Sequence, residues 1–330
     1  MLAVHVGPIR DPVGPAARAY AAPHGRAAIL FGLLAGVGVA LLAASRTRSR
    51  GAVVAALLWR AALLLVLGLW LQTLDHGVFV ILQDHALLFV LGLVALCLPA
   101  RAVLPIALTV GVAGSLGYLA GLELAPDAFV RDEVAWGDPA GELWHGLVLS
   151  GPYPLITWAA PFLVGLHVGR LDLRRPRTAW RLALLGAALT AGAWAAARLG
   201  LATVDPDGWG RVVTDAPHSQ MPLWLLGTTG SALLVLGLCL RLGDRMPRAV
   251  WPLAALGQLA FTAYVAHLVV LHVWGADVRS DAPGEAALVV LAGTVAGAGF
   301  ATLWRCWMPR GPLEAALHLP RWLPRWGPGG

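Results

Sequence analysis

Ionisable and polar side chains inside long apolar runs are costly to keep there, so they mark where chemistry is to be sought. In this sequence they are Arg60, the consecutive Gln83, Asp84 and His85, then His167, Gln258, Tyr264 and His267. Ten histidines are present, and an imidazole with an ordinary pKa of about 6.5 suits the removal of a proton from a hydroxyl or amine at neutral pH. Eight of the ten (His5, His24, His76, His85, His145, His218, His267 and His272) fall toward one side of the apolar runs, with Asp11, Asp75, Asp84 and Asp215 close in sequence. A carboxylate beside an imidazole would orient it as a base. Taken singly, each of these histidines is equally well read as interfacial or as a hydrogen-bonded helix contact, and sequence does not say which pair meets.

All 24 basic residues are arginine. Guanidinium forks match phosphate oxygens in pairs, although a GC-rich genome produces the same bias. The clusters Arg46, Arg48, Arg50 and Arg170, Arg174, Arg175, Arg177 would suit the phosphates of a nucleotide-like donor; retention of positive charge on the cytoplasmic side explains them without a ligand. Arg60 lies within an apolar run, where orientation needs no charge, and snorkelling is its alternative reading. Cys97, Cys239 and Cys306 are too scattered for a disulfide framework, and no CxxC or HExxH spacing offers a metal site, so no metal is expected.

The elements that must position these residues are apolar helices. Of 330 residues, 58% are hydrophobic and 13% charged, with mean hydropathy +0.72, against roughly 25% charged in a soluble protein. Water is therefore not the main solvent, the lipid bilayer is the expected partner, and no nucleic-acid partner is expected. Segments long enough to cross a bilayer, about 20 residues each, occur at 26–45, 52–73, 77–98, 102–121, 144–168, 178–200, 222–242, 250–274 and 285–305. The expected fold is all-α: a polytopic integral membrane helix bundle of nine transmembrane helices, with the backbone satisfied inside each span. Sixteen of the 24 arginines fall on one face of this arrangement, whereas 15 of the 18 acidic residues do not. That asymmetry makes the arginine-rich face cytoplasmic, with residues 1–25 extracytoplasmic and the tail 306–330 cytoplasmic. The tail's Trp322-Leu323-Pro324-Arg325-Trp326 is expected to rest on inner headgroups.

No secretory leader is legible between Ile9 and Pro23. Met1-Leu2-Ala3-Val4-His5-Val6 reads instead as the last turn of an earlier helix, so a tenth helix is expected in a longer protein; a natural nine-span chain with its N-terminus outside is the alternative. The loops at 122–143 and 201–221 are too short for separate domains, and residues 1–330 read as one domain.

Several stretches, taken in order, resemble a known family. They are Met1-Leu2-Ala3-Val4-His5-Val6-Gly7-Pro8, then His24-Gly25-Arg26 leading through Phe31 to Leu34-Ala35-Gly36, then Arg60 to Gly68. Further on come Gly151-Pro152-Tyr153-Pro154 through Trp158 with Gly169-Arg170-Leu171-Asp172, Pro217-His218-Ser219, and Leu256-Gly257-Gln258 through Tyr264 with His267. In this the chain resembles bacterial proteins similar to the catalytic domain of heparan-α-glucosaminide N-acetyltransferase, within the transmembrane acyltransferase superfamily.

The resemblance implies that acetyl-CoA binds from the cytoplasm and that a hydroxyl or amine acceptor, a glycan of the cell envelope or a small molecule, is acylated on the far side. It also implies a bacterial cytoplasmic (inner) membrane location. His24 is the closest positional match to the family's catalytic histidine; His5 matches a polar position at the outer end of the first helix, and His218 an outer-loop His-Ser pair. On this reading Arg60, Arg46, Arg48, Arg50, Arg170 and Arg174 hold the CoA phosphates, His24, His5 or His218 takes the acceptor's proton, and Asp84 and His85 orient that base or the acceptor. Two departures stand against it: the first-helix Asp/Arg-Gly motif is absent, and Gln258 stands where relatives often have Arg. A transporter or channel without acyl chemistry is the rival class, though no inverted repeat is apparent. Direct transfer, an acyl-histidine intermediate and homo-oligomer formation stay open.

Overall fold

A computed structural model describes residues 1–9, 14–45 and 47–318. Arg46, Asp11 and the tail segment 322–326 lie outside the described residues. The chain is 76% helix, with no strand among the described residues. The helices are α1 (Leu2–Val6), α2 (Gly14–Ala21), α3 (Arg26–Ala43), α4 (Arg50–Gln72), α5 (Leu82–Leu96), α6 (Ala100–Leu124) and α7 (Ala140–His145). A π turn, Gly146–Ser150, extends α7; then follow α8 (Leu155–Gly169), α9 (Pro176–Leu201), α10 (Pro222–Arg245), α11 (Pro247–Gln258), α12 (Ala260–Val278), α13 (Pro283–Trp307) and α14 (Pro312–Ala316).

Seven helical stretches among the described residues are long and apolar enough to cross a membrane: Gly14–Ala43, α4, α6, α9, α10, α12 and α13. The pair formed by α7 with its π turn and α8, bent by 56°, makes an eighth. Their outward faces carry exposed Leu58, Val66, Val112, Leu184, Leu291 and Val295, a surface suited to hydrocarbon rather than water. The molecule is a polytopic helical membrane protein.

Besides the bent pair, which stands where the run 144–168 was expected as one helix, two more of the nine expected spans take a different form. The run 77–98 yields only the 15 residues of α5, about 22 Å of helix at the usual rise. Its first residues stay extended because the Gln72 side chain accepts the Val80 N–H at 2.7 Å and the Phe79 carbonyl accepts the Tyr153 hydroxyl at 3.1 Å. The run 250–274 divides at Leu259 into α11 and α12. The cause lies some fifty residues away. Glu314 Oε1 accepts the N–H groups of Phe261 and Thr262 at 2.8 and 2.9 Å, and its Oε2 accepts the Thr262 hydroxyl. A carboxylate on the first free N–H groups is what a helix start requires, so α12 begins where Glu314 caps it.

The described chain groups into two compact units. The larger holds residues 25–45, 47–73 and 79–241. Within it α3 and α8 touch backbone to backbone: a Cβ on Gly165 would lie 1.9 Å from the Leu33 carbonyl oxygen, and one on Gly36 would lie 2.0 Å from that of Phe162. Small residues permit such approaches in membranes, where dispersion contacts replace the hydrophobic effect between helices. Leu33, Val39, Leu57, Leu88, Phe162 and Leu166 fill the surrounding core. The smaller unit holds residues 1–9, 14–24, 74–78 and 242–318. There α1 lies on α13: Leu2 sits over Gly293, and Val6 packs with Leu271 and Ala286.

Candidate functional site

In the smaller unit, burial of Val4 and Val6 turns the intervening His5 toward α12. His5 Nδ1 lies 2.9 Å from His267 Nε2, and the two rings are 10° from parallel with centroids 5.1 Å apart. That separation is the nitrogen–nitrogen distance plus two ring radii, so the imidazoles lie edge to edge in nearly one plane, a hydrogen bond rather than a face-to-face stack. His267 Nδ1 bonds in turn to the Tyr264 carbonyl, three residues back on the same helix. Arg279 donates through Nε to the His5 carbonyl at 3.3 Å and through Nη2 to that of His76. Burial pushes the His5 imidazole down to about 3, helped by His267, the amino group of Met1, Arg279 and His24. His24, half-buried in the turn before α3, thus belongs to the same electrostatic neighbourhood as His5.

In the larger unit, His218 sits in a cage of aromatic rings. Its ring centroid lies 5.7 Å from those of Tyr153 and Trp224 and 6.3 Å from that of Trp158. The segment's backbone is unusual. His218 has φ 57° and Gln220 φ 64°, a region few non-glycine residues enter and one that costs roughly 1–3 kcal/mol. The fully buried Gln220 amide offsets that cost: its oxygen accepts from Trp158 Nε1 and Thr157 Oγ1, both at 3.0 Å, and its nitrogen donates to the Pro152 carbonyl. Gly25, at φ 74°, presses on this cage so closely that a Cβ would lie 3.1 Å from Trp224 and 3.3 Å from His218.

Asp84 and His85, also in the larger unit, occupy the first turn of α5 and are both buried. His85 Nδ1 bonds to the Ile81 carbonyl at 2.9 Å, a local bond that orients the ring on its own helix. Asp84 has no ion pair among the described residues. Beside them the loop before α7 is fastened down: Gln83 donates to the Val134 carbonyl and Gln72 to Glu133. Beyond it opens a cavity of about 460 Å³ lined by Asp127, Asp132, Glu133, Asp138 and Glu142, with His145 and Ser150. These last two are hydrogen-bonded at 2.9 Å across the π turn; π turns of this kind recur at functional sites.

The arginines divide. Arg48 and Arg50 are exposed at the start of α4, and the half-buried Arg60 lies about 15 Å further along that helix. Arg170 is occupied otherwise: Nη1 and Nη2 donate to the carbonyls of Leu98 and Ala95, both at 3.2 Å, closing the C-terminus of α5. Arg174 is exposed beside Asp172, which binds its backbone N–H and pairs with Arg175. No group of three or more potential metal ligands occurs among the described residues.

Among the residues singled out from sequence, the structure thus joins His5 to His267. Gln220, Ser150 and Trp224 carry no mark in the sequence, and Tyr153 and Trp158 enter it only through the family resemblance. Gln220 directly follows the Pro217-His218-Ser219 stretch, but only its left-handed backbone marks it.

A family model described as an acyltransferase domain matches residues 134–304, just over half of the chain. No match was found among curated proteins or among solved structures. The matched stretch takes in His145, Ser150, the caged His218 and the His5 partner His267. With its apolar helices and this match, the chain belongs to that acyltransferase family and is a membrane acyltransferase.

Proposed function

We propose that the protein moves an acyl group, acetyl in the simplest case, from acyl-CoA in the cytoplasm to an amine or hydroxyl acceptor on the other side of a bacterial inner membrane. The observation that carries this reading is the acyltransferase-domain match over residues 134–304. Sidedness rests on the arginine excess of one set of loops, which also sets the C-terminus in the cytoplasm. Arg60, with Arg48, Arg50, Arg46 and the exposed Arg174, binds the CoA phosphates; the Arg170 guanidinium is already bonded to α5's carbonyl ends.

The acceptor attacks the thioester carbonyl, its proton passes to a histidine of the group His24, His5 and His218, and the C–S bond breaks. The proton then reaches the departing thiolate, so CoA leaves as the thiol and the histidine is regenerated. Asp84 and His85 orient the acceptor. The five carboxylates around the 460 Å³ cavity would raise the local concentration of a cationic acceptor, whose ammonium gives one proton to solvent to free the lone pair before the attack. This favours an amino sugar or other amine over a neutral alcohol. Resemblance to the heparan-α-glucosaminide N-acetyltransferase catalytic domain supports the same acceptor chemistry.

The test is transfer from labelled acetyl-CoA by the purified protein in lipid, offered amino sugars and neutral sugars. Stoichiometric CoA thiol and acylated amine, lost when His24, His5 and His218 are all replaced by alanine, are expected. Solute flux indifferent to CoA, without thiol release, would identify a transporter instead.

A further inference from the structure

We infer that His267 is a positioning residue for acyl transfer: it fixes the tautomer of His5 so that His5 Nε2 carries the lone pair that receives the acceptor's proton. This rests on the acyl-transfer reading and narrows it from three histidines to one.

The direction of the hydrogen bonds follows from a single carbonyl. Tyr264 O can only accept, so the nitrogen that meets it, His267 Nδ1, carries the hydrogen. In a neutral imidazole the other nitrogen is then a bare acceptor. His267 Nε2 is that nitrogen, and it lies 2.9 Å from His5 Nδ1. The hydrogen between them therefore belongs to His5, and His5 Nε2 is left as the lone pair. Coplanarity of the rings aligns this bond and fixes where Nε2 points. The His5 backbone is held by Arg279 on its carbonyl, and Val6 by the Ser280 N–H at 3.1 Å.

Both rings are neutral in this arrangement, and the burial of His5 favours its neutral form. The groups around the pair are the Met1 amino group and His24 beside His5, Arg279 from the segment after α12, and His76 near His267. Arg279 is a cation, and no carboxylate is among these neighbours within the described residues. When His5 Nε2 takes the acceptor's proton, His267 Nε2 remains hydrogen-bonded to Nδ1–H of the imidazolium and steadies it until the proton passes to the thiolate. His267 itself bonds to nothing in the substrate.

The experiment compares wild type, His267→Ala and His267→Gln, the last retaining an acceptor oxygen for His5 Nδ1–H. Nitrogen NMR of the histidine-labelled full chain in lipid reads the tautomer; acetyl-CoA turnover against pH reads the chemistry. The expected result is His5 protonated on Nδ1 in wild type and His267→Gln, and a mixed tautomer in His267→Ala. With it should come a 10- to 100-fold lower kcat in His267→Ala, an unchanged KM for acetyl-CoA, a displaced acid limb of the pH profile, and recovery of most of the rate in His267→Gln. His5 protonated on Nε2 in wild type, or a His267→Ala enzyme with unaltered kcat and pH profile, overturns the proposal. A wild type with the expected tautomer that turns over no acetyl-CoA overturns acyl transfer itself, which separates the two failures.

Discussion

The side-chain oxygen of Gln220 accepts the indole N–H of Trp158 at 3.0 Å while Gln220's own backbone holds φ 64°. One buried amide thereby ties the His218 segment to the start of α8. Gln220→Ala leaves the Trp158 indole N–H without its acceptor, while the Thr157 hydroxyl can turn to the Pro154 carbonyl at 3.2 Å, and the backbone strain stays. It should destabilise the larger unit by about 1–3 kcal/mol, one orphaned buried donor at the usual cost. Thermal unfolding in detergent, followed by tryptophan fluorescence, checks this, and an unchanged midpoint would remove the structural role given to Gln220.

Glu314 should behave as the cap of α12. Glu314→Gln keeps an acceptor oxygen but loses the charge, and Glu314→Ala loses both. Stability is expected to fall in that order, by up to about 2 kcal/mol for alanine. Hydrogen exchange at Phe261 and Thr262 reads it locally: both amides should exchange faster in Glu314→Ala, whereas equal protection would mean that α12 starts there for another reason.

Low pH should loosen the smaller unit. His5 is depressed to about 3 in the folded chain from an ordinary 6.5. Below 6.5 the unfolded chain binds a proton that the folded chain does not, so this contribution is complete above pH 6.5 and is lost as pH falls toward 3. Midpoints measured from pH 7.5 to 5 should decline, and the decline should be shallower in His5→Asn. An identical slope in both proteins would mean that His5 is not the titrating group.

Arg60 is expected to act on the nucleotide end of the donor. Arg60→Ala should raise KM for acetyl-CoA about 10- to 100-fold, the loss of one charge-assisted hydrogen bond, and leave KM for acetyl-pantetheine, which lacks the nucleotide, unchanged. A rise for both donors would place the defect in the fold.

Most of the bundle was legible because a span is a property of average hydropathy. The runs at 26–45, 52–73, 178–200 and 285–305 became α3, α4, α9 and α13 within a few residues. The break at Leu259 was not legible: Gly257 and the single polar Gln258 do not interrupt the average hydropathy of the run, and the cap arrives from Glu314 through the fold. Candidate chemistry divided the same way. Residue type marked His5, His218 and His267, but the His5–His267 bond joins residues 262 apart, a pairing no local pattern encodes. Arg170 stood out for its charge, and only the structure shows its guanidinium bonded to the carbonyl ends of α5.

Transfer across the bilayer separates donor and product on its two sides, and each side can be assayed alone. In proteoliposomes oriented with the arginine-rich loops outward, labelled acetyl-CoA is added outside to vesicles loaded with an amino sugar. Acylated amine is expected inside and CoA thiol outside in equal amount, with neither formed when acetyl-CoA is confined to the lumen. Product formed only on the side where acetyl-CoA was supplied, or no thiol release by an active-folded sample, would contradict transfer across the bilayer.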